Sequence, residues 1–107
     1  LQKIAENKKM QEEAIRDETT RQQAWIAQGQ ESIKKKLKDP SSAKFKNVYF
    51  SKAGGAPVAC GEVNSKNSYG GYAGFQRFIA AGDGPLAFLE NEVEDFARVW
   101  NEMCVSK

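Results

Sequence analysis

The chain has 107 residues, a net charge of +2, no histidine and only two cysteines. That length is one domain's worth. The missing histidine excludes histidine-based catalytic triads and the commonest zinc sites, and the small net charge gives no general case for a polyanionic partner.

Residues 1–38 read as helix, with no proline, a single glycine (Gly29) and mostly Gln, Glu, Lys, Ala and Arg, all good helix formers except the glycine. Leu1, Ile4, Met10, Ala14 and Ile15 make only a thin apolar stripe, beside expected surface pairs Glu12/Arg16 and Asp17/Arg21. Residues 1–24 are therefore expected to be a polar helical extension, and 25–107 a single α+β domain. The heptad pattern is poor, so the expected state is a monomer or a weak dimer through this helix. Ile26, Gly29, Ile33 and Leu37 share one face that should dock on a sheet. Gly29 is either a close-approach point for another backbone or a weak spot costing about 1 kcal/mol. Pro40 should stop the helix at Asp39.

Ala43 to Ser51 is a strand candidate in which Phe45 and Val48 break the period of two, so a bulge or an end is expected near Asn47. A turn over 53–57 leads to a second strand, Val58 to Asn64, with Val58 and Cys60 on one face, Ala59 and Val63 on the other, and Gly61 interrupting. A turn over 64–68 then leads to a third, longer strand from Tyr69 to Ala80, a turn over 81–85, and a short fourth strand from Leu86 to Leu89. Asn91 with Glu94 resembles a capping box. Val93, Phe96, Ala97, Trp100 and Cys104 then recur at helical spacing on one face that must be buried. The expected fold is α+β: a long N-terminal helix, an antiparallel three- to four-stranded meander and a C-terminal amphipathic helix packed on the sheet, with both helices on one sheet face.

So small a domain is marginal without a staple. Cys60 and Cys104 either form a bridge, worth roughly 4 kcal/mol on the chain-entropy argument, or remain two buried thiols of a cytosolic protein. Their wide separation and the lack of a CxxC pair argue against zinc or redox chemistry. The chain opens at Leu1 without a methionine, which suggests a lost upstream signal peptide or membrane anchor. No run here approaches the ~20 apolar residues of a membrane span.

The densest stretch runs from Cys60 to Phe78, where four glycines, two asparagines and four aromatics fall within nineteen residues. As a phosphate loop it fails, because the glycine spacing matches neither GxxxxGK[ST] nor GxGxxG. As a platform for nucleic acid, its aromatics with Lys66 and Arg77 have the right residue types, but the net charge is too small, and no nucleic-acid partner is expected. As structure, Gly70, Gly71 and Gly74 would relieve crowding on a curved strand, Tyr69 and Phe78 would pack in or around the core, and Asn64 and Asn67 would close the turn through backbone amides. In that arrangement Asn64, Lys66, Asn67, Tyr69, Tyr72 and Arg77 form a partner-binding surface of the usual aromatic and arginine type.

Catalysis finds little support. Glu62 is the one acid in this stretch, and a lone strand carboxylate is expected to face solvent or to pair with Arg77 or Lys66. Glu90, Glu92, Glu94 and Asp95 lack calcium-loop spacing and suit a helix start. No metal and no cofactor are expected. Seven lysines between Lys34 and Lys52 against Asp39, and five acids between Glu90 and Glu102 against Arg98, divide the chain into a basic and an acidic part.

The segments LKDPSSAKFKNV (Leu37 to Val48), CGEVNSKNSYGGYAGFQRF (Cys60 to Phe78) and VWNEMC (Val99 to Cys104) resemble a pattern of small bacterial proteins without an assigned activity, found behind a signal, lipoprotein or membrane-anchor segment and sometimes encoded in phage-like regions. The resemblance covers Leu37 to Cys104 and implies placement in the envelope and a Cys60–Cys104 bridge, but no ligand. The expected function is a non-enzymatic, periplasmic or otherwise extracytoplasmic protein-binding module, with the membrane reached only through a segment upstream of residue 1. The alternative is a small phage- or plasmid-encoded inhibitor or immunity protein that blocks a target enzyme with the same loop.

Overall fold

The structure is a computed structural model that describes residues 2–81 and 86–106, with side chains from Lys9 onward. A helix Gln2–Lys34 (α1) is followed by four strands, Lys44–Ser51 (β1), Val58–Asn64 (β2), Gln76–Ala80 (β3) and Ala87–Leu89 (β4), and by a short helix Phe96–Met103 (α2). The strands pair antiparallel in the order β1-β2-β3-β4. The fold is α+β, a meander with a long N-terminal helix and a C-terminal helix packed on it. The turn expected over 81–85 falls largely on residues outside the described ones, as do the side chains of Leu1 and Ile4. Among the described residues no helix is long and apolar enough to cross a membrane.

The two helices lie on opposite faces of the sheet, not on one face as expected. Side chains alternate along a strand, and β2 shows the division. Val63 joins Ile33 of α1, Phe78, Ala80, Ala87 and Leu89 in one core cluster, whereas Val58 and Cys60 join Ile79, Phe96 and Cys104 in the other. Both sheet faces are apolar over β2 and β3, so covering only one would have left Val58, Cys60 and Ile79 in water.

α1 packs on its face through Gly29. A Cβ there would sit 3.1 Å from the Ala59 Cβ and 3.2 Å from that of Ala80, which identifies Gly29 as a close-approach point. The helix stops at Lys34, short of the expected Lys38. The Lys36 and Leu37 amides donate to the carbonyls three residues back, a tightened last turn that unwinds ahead of Pro40. On the exposed helix surface Arg21 pairs with Glu18 at 2.8 Å and not with Asp17.

The irregularity in β1 is a bulge. Lys46 lies opposite Glu62 and Tyr49 opposite Cys60, so Asn47 and Val48 together face Gly61. Asn47 takes φ 54°, a left-handed conformation that asparagine tolerates better than most residues. The extra residue lets Phe45 and Val48, three apart, both pack against the α1-side core. Gly61 makes room for it, since a Cβ there would be 2.9 Å from Val48 Cγ2 and 3.1 Å from Phe78 Cε2.

Two further elements are shorter than expected. The third strand is confined to Gln76–Ala80, and Tyr69 to Phe75 belong to a loop. At the other end, Glu90–Glu92 form a 3-10 turn and Val93 is extended at φ −121°. The last helix therefore starts at Phe96, after Asp95, and not near Asn91. Phe96 and Cys104 are buried, Val93 and Trp100 are half-buried, and Ala97, expected on the buried face, is exposed.

The C-terminal end of α2 is fastened to the sheet three times. Cys104 is bridged to Cys60 of β2, with a Cα–Cα separation of 6.0 Å. The Tyr49 hydroxyl donates to the Cys104 carbonyl at 2.8 Å, and the Ser51 hydroxyl donates to that of Met103 at 2.6 Å. Helix C-termini leave carbonyls without intrahelical partners, and β1 supplies two of the missing donors. Burial pushes the Tyr49 hydroxyl pKa up, so it remains a donor. A buried disulfide indicates a compartment outside the reducing cytoplasm.

Replacing both Cys60 and Cys104 by alanine should lower unfolding free energy by roughly 3–4 kcal/mol, given the 44-residue separation and the entropy of the loop it closes; urea denaturation reads this directly. Gly61→Ala should cost about 1–3 kcal/mol through overpacking against Val48 and Phe78, while leaving the bridge intact by mass spectrometry.

Candidate interaction surface

α2 is only eight residues long and covers the part of its sheet face formed by Val58, Cys60 and Ile79. The same face continues into polar residues. In register, Lys44 lies opposite Asn64, Lys46 opposite Glu62, and Glu62 opposite Arg77. These side chains are left open to solvent or half-open, and the loop 65–75 borders them.

That loop is held in one shape by its asparagines and glycines. The Asn67 side-chain oxygen accepts the amides of Tyr69 and Gly71 at 2.9 and 3.3 Å, and its backbone amide donates to the Gly71 carbonyl. The Asn64 side-chain oxygen accepts the Gly74 amide at 3.0 Å. Gly70 and Gly74 have φ of 81° and 102°, which an L side chain rarely adopts. The expected crowding relief is incorrect for these glycines: nothing lies within 4 Å of a Cβ built at Gly70, Gly71 or Gly74. Lys66 and Tyr72 form a bridge pair across the loop. Ser42 anchors its base, accepting the Lys66 amide on its hydroxyl at 2.8 Å and the Tyr72 hydroxyl on its carbonyl at 3.2 Å.

The outcome is a fixed aromatic and lysine surface. Tyr72 and Phe75 are each 42% exposed. Lys44 and Lys66 lie 4.6 and 5.8 Å from the Tyr72 ring centroid, and Lys46 lies 4.0 Å from that of Phe75, all within cation–π range. Tyr69, expected at the core or its rim and also on the partner-binding surface, is 97% exposed at the loop tip; Phe78 is fully buried. Of the six expected partner-binding residues, Lys66, Asn67, Tyr69 and Tyr72 come together here, and Asn64 supports the loop from beneath.

Arg77 is on the same sheet face but already occupied. It donates to Glu90 from its side chain at 2.9 and 3.3 Å and from its backbone at 3.0 Å. Its guanidinium also lies 5.4 Å from the Phe96 ring and 5.2 Å from that of Trp100. It thus joins β3 to α2, and the expected Glu62–Arg77 or Glu62–Lys66 pairing gives way to this one. Glu62 instead accepts a hydrogen bond from the Asn47 amide group at 2.9 Å. Sequence reading missed Lys44, Lys46 and Phe75, whose spacing along the chain hides that the bulge and the loop bring them together.

Among the described residues no group of three or more Cys, Asp or Glu side chains is arranged to hold a metal. A polar cleft of about 410 Å³ behind the loop, lined in part by Lys36, Lys38, Lys66, Asn91 and Glu92, is flanked by the Lys36–Glu92 ion pair at 2.8 Å. Comparison of the chain with protein-family models, curated proteins and solved structures returned no match. The chain is thus a disulfide-stapled, three-layered α+β protein whose reading rests on its own geometry.

The Glu90 carboxyl is held below the usual carboxylate range, chiefly by the Arg77 side-chain hydrogen bonds and next by the Arg77 backbone amide. A folded-state pKa lowered in this way contributes stability above the unfolded value, and that stability is lost as pH falls through the folded one. With 39% of its side chain exposed, Glu90→Gln should cost about 0.5–1 kcal/mol at neutral pH. Thermal melting of the variant should also depend less on pH between about pH 6 and pH 3 than that of the parent.

Proposed function

We propose that this protein is a non-catalytic protein-binding module of the bacterial cell envelope, exposed on the extracytoplasmic side of a membrane, that docks an acidic partner surface on the Lys44, Lys46, Lys66, Tyr69, Tyr72 and Phe75 patch. The observation that carries the reading is the loop itself. Its hydrogen bonds and positive-φ glycines hold an almost fully exposed tyrosine at the tip, and a rigid aromatic gives contact area with little ordering cost on binding. The three lysines set the sign of the partner: rim charges of one sign favour a complementary surface and speed encounter with it.

The buried bridge supports an oxidising compartment, and the periplasm is the bacterial compartment that fits it. A small inhibitor or immunity protein, plugging a target enzyme with the same loop, uses this same patch; its partner would be a single enzyme encoded nearby.

A photo-crosslinking residue placed at Tyr69 in cells should trap one envelope protein with an acidic contact surface, identified by mass spectrometry. Tyr69→Ala combined with Tyr72→Ala should weaken binding to that protein by about 100-fold, as for paired hot-spot residues, and Tyr69→Ala alone, at a side chain 97% exposed, should weaken it without changing the melting temperature by more than a degree or two. Higher salt should slow association. Retention of full affinity in the double variant, or tight binding of single-stranded DNA in its place, would remove the proposal.

A further inference from the structure

The polar cleft of about 410 Å³ behind the loop has the size of a small-molecule site, and its lining is rich in donors. Three of its side-chain acceptors are already engaged. The Asn67 side-chain oxygen takes the Tyr69 and Gly71 amides, that of Gln76 takes the Asn91 amide at 3.2 Å, and one Glu92 oxygen takes Lys36. A backbone N–H can only donate, so these contacts also fix which end of each side-chain amide is the NH2 group. Among the described residues neither NH2 group has a partner, and nor do the Ser65 hydroxyl and the Lys38 ammonium.

Charge points the same way. Lys36, Lys38 and Lys66 line the cleft against Glu92 alone, and Glu92 is paired with Lys36 at 2.8 Å. Lys66 lies 5.8 Å from the Tyr72 ring centroid and meets no carboxylate among the described residues. Two cations are left over, with free neutral donors in the same lining, which suits an anion carrying several acceptor oxygens. The remaining lining limits what that anion is attached to. Leu37, Ala73 and Leu89 contribute apolar surface, enough to cover the C–H groups of a sugar ring. No aromatic side chain lines the cleft, so a nucleobase has nothing to stack on.

We propose that this cleft binds a phosphorylated monosaccharide, either free or carried on a lipid. The phosphoryl oxygens accept from Lys38, Lys66, the Ser65 hydroxyl and the Asn67 NH2 group. The ring hydroxyls bond to the Gln76 NH2 group and the Asn91 side chain, and the ring C–H groups lie on the apolar surface. Lys36 stays with Glu92. The site shares Lys66 and Asn67 with the loop but uses none of Tyr69, Tyr72 and Phe75, so it stands whether or not that surface binds a protein.

The test titrates the full, oxidised chain with glucose 6-phosphate, with glucose and with inorganic phosphate, read by calorimetry. Glucose 6-phosphate should bind saturably and about tenfold or more tighter than either fragment, and more weakly as salt is raised. The Lys38 ammonium and the Ser65 hydroxyl have no partner in the fold among the described residues. Lys38→Gln and Ser65→Ala should therefore each weaken binding about fivefold while leaving the melting temperature unchanged. Tyr69→Ala should leave the affinity unchanged. Phosphatidylcholine vesicles carrying a monophosphorylated glucosamine lipid separate the two sources. Flotation of the protein with these vesicles, reduced in the Lys38→Gln variant, assigns the lipid-borne sugar; glucose 6-phosphate binding without flotation assigns the free one. Inorganic phosphate binding as tightly as the sugar phosphate, indifference to both the Lys38 and the Ser65 substitutions, or no binding of either the sugar phosphate or the vesicles would each overturn the proposal.

Discussion

The fastening of the C-terminal helix to the sheet is the interaction on which the rest of this structure depends. An eight-residue helix is too short to be stable by itself, and α2 has no side-chain cap at Asp95. What holds it is one covalent bond from Cys104 to β2, two hydroxyl donors from β1 at its open carbonyls, and the Arg77 guanidinium stacked on Phe96 and Trp100. Three different strands thus converge on two turns of helix. Because the disulfide joins β2 to the residue that caps α2, it ties the strand and helix contributions to the α2-side core together covalently.

With α2 held in place, the geometry of the open half of its sheet face follows. The helix ends the apolar region, and beyond it Lys44, Lys46, Glu62 and Asn64 continue the same face in polar form. The loop after β2 then folds back over these residues, because Ser42 holds its base and its two asparagines tie its backbone. The lysine and aromatic side chains are thereby interleaved with known separations, not merely near one another in sequence.

Much of this was legible beforehand where a residue has one dominant physical role. Val58 to Asn64 formed a strand with the expected boundaries, and the broken phase of Phe45 and Val48 signalled the bulge at Asn47, whereas the first helix ends at Lys34, before the stop expected from Pro40. Other features depended on tertiary context. A run such as Tyr69 to Phe75 has strand-like aromatics, yet Gly70 and Gly74 use their freedom for turns, which composition does not distinguish from relief of crowding. The acids from Glu92 to Asp95 suit a helix start, but Val93 is extended and leaves its side chain half-buried beside Phe88 and Phe96. Placement of the helices on opposite faces was written in the alternation of β2, where both phases are apolar. The hydroxyl donors Tyr49 and Ser51 left no sequence signal, since their partners are backbone carbonyls more than fifty residues away.

The direction of α1 separates the two ends of the molecule. Its middle, at Glu18 to Trp25, lies beside Phe50 and Pro57 at one end of the sheet, and its last turn approaches Lys66 and Asn67 at the other. The exposed stretch from Lys9 to Asp17 therefore extends away from Tyr69 along the 65 Å length of the molecule. A partner that engages the tyrosine tip therefore approaches the molecule at the end opposite that stretch of helix, with the sheet between them.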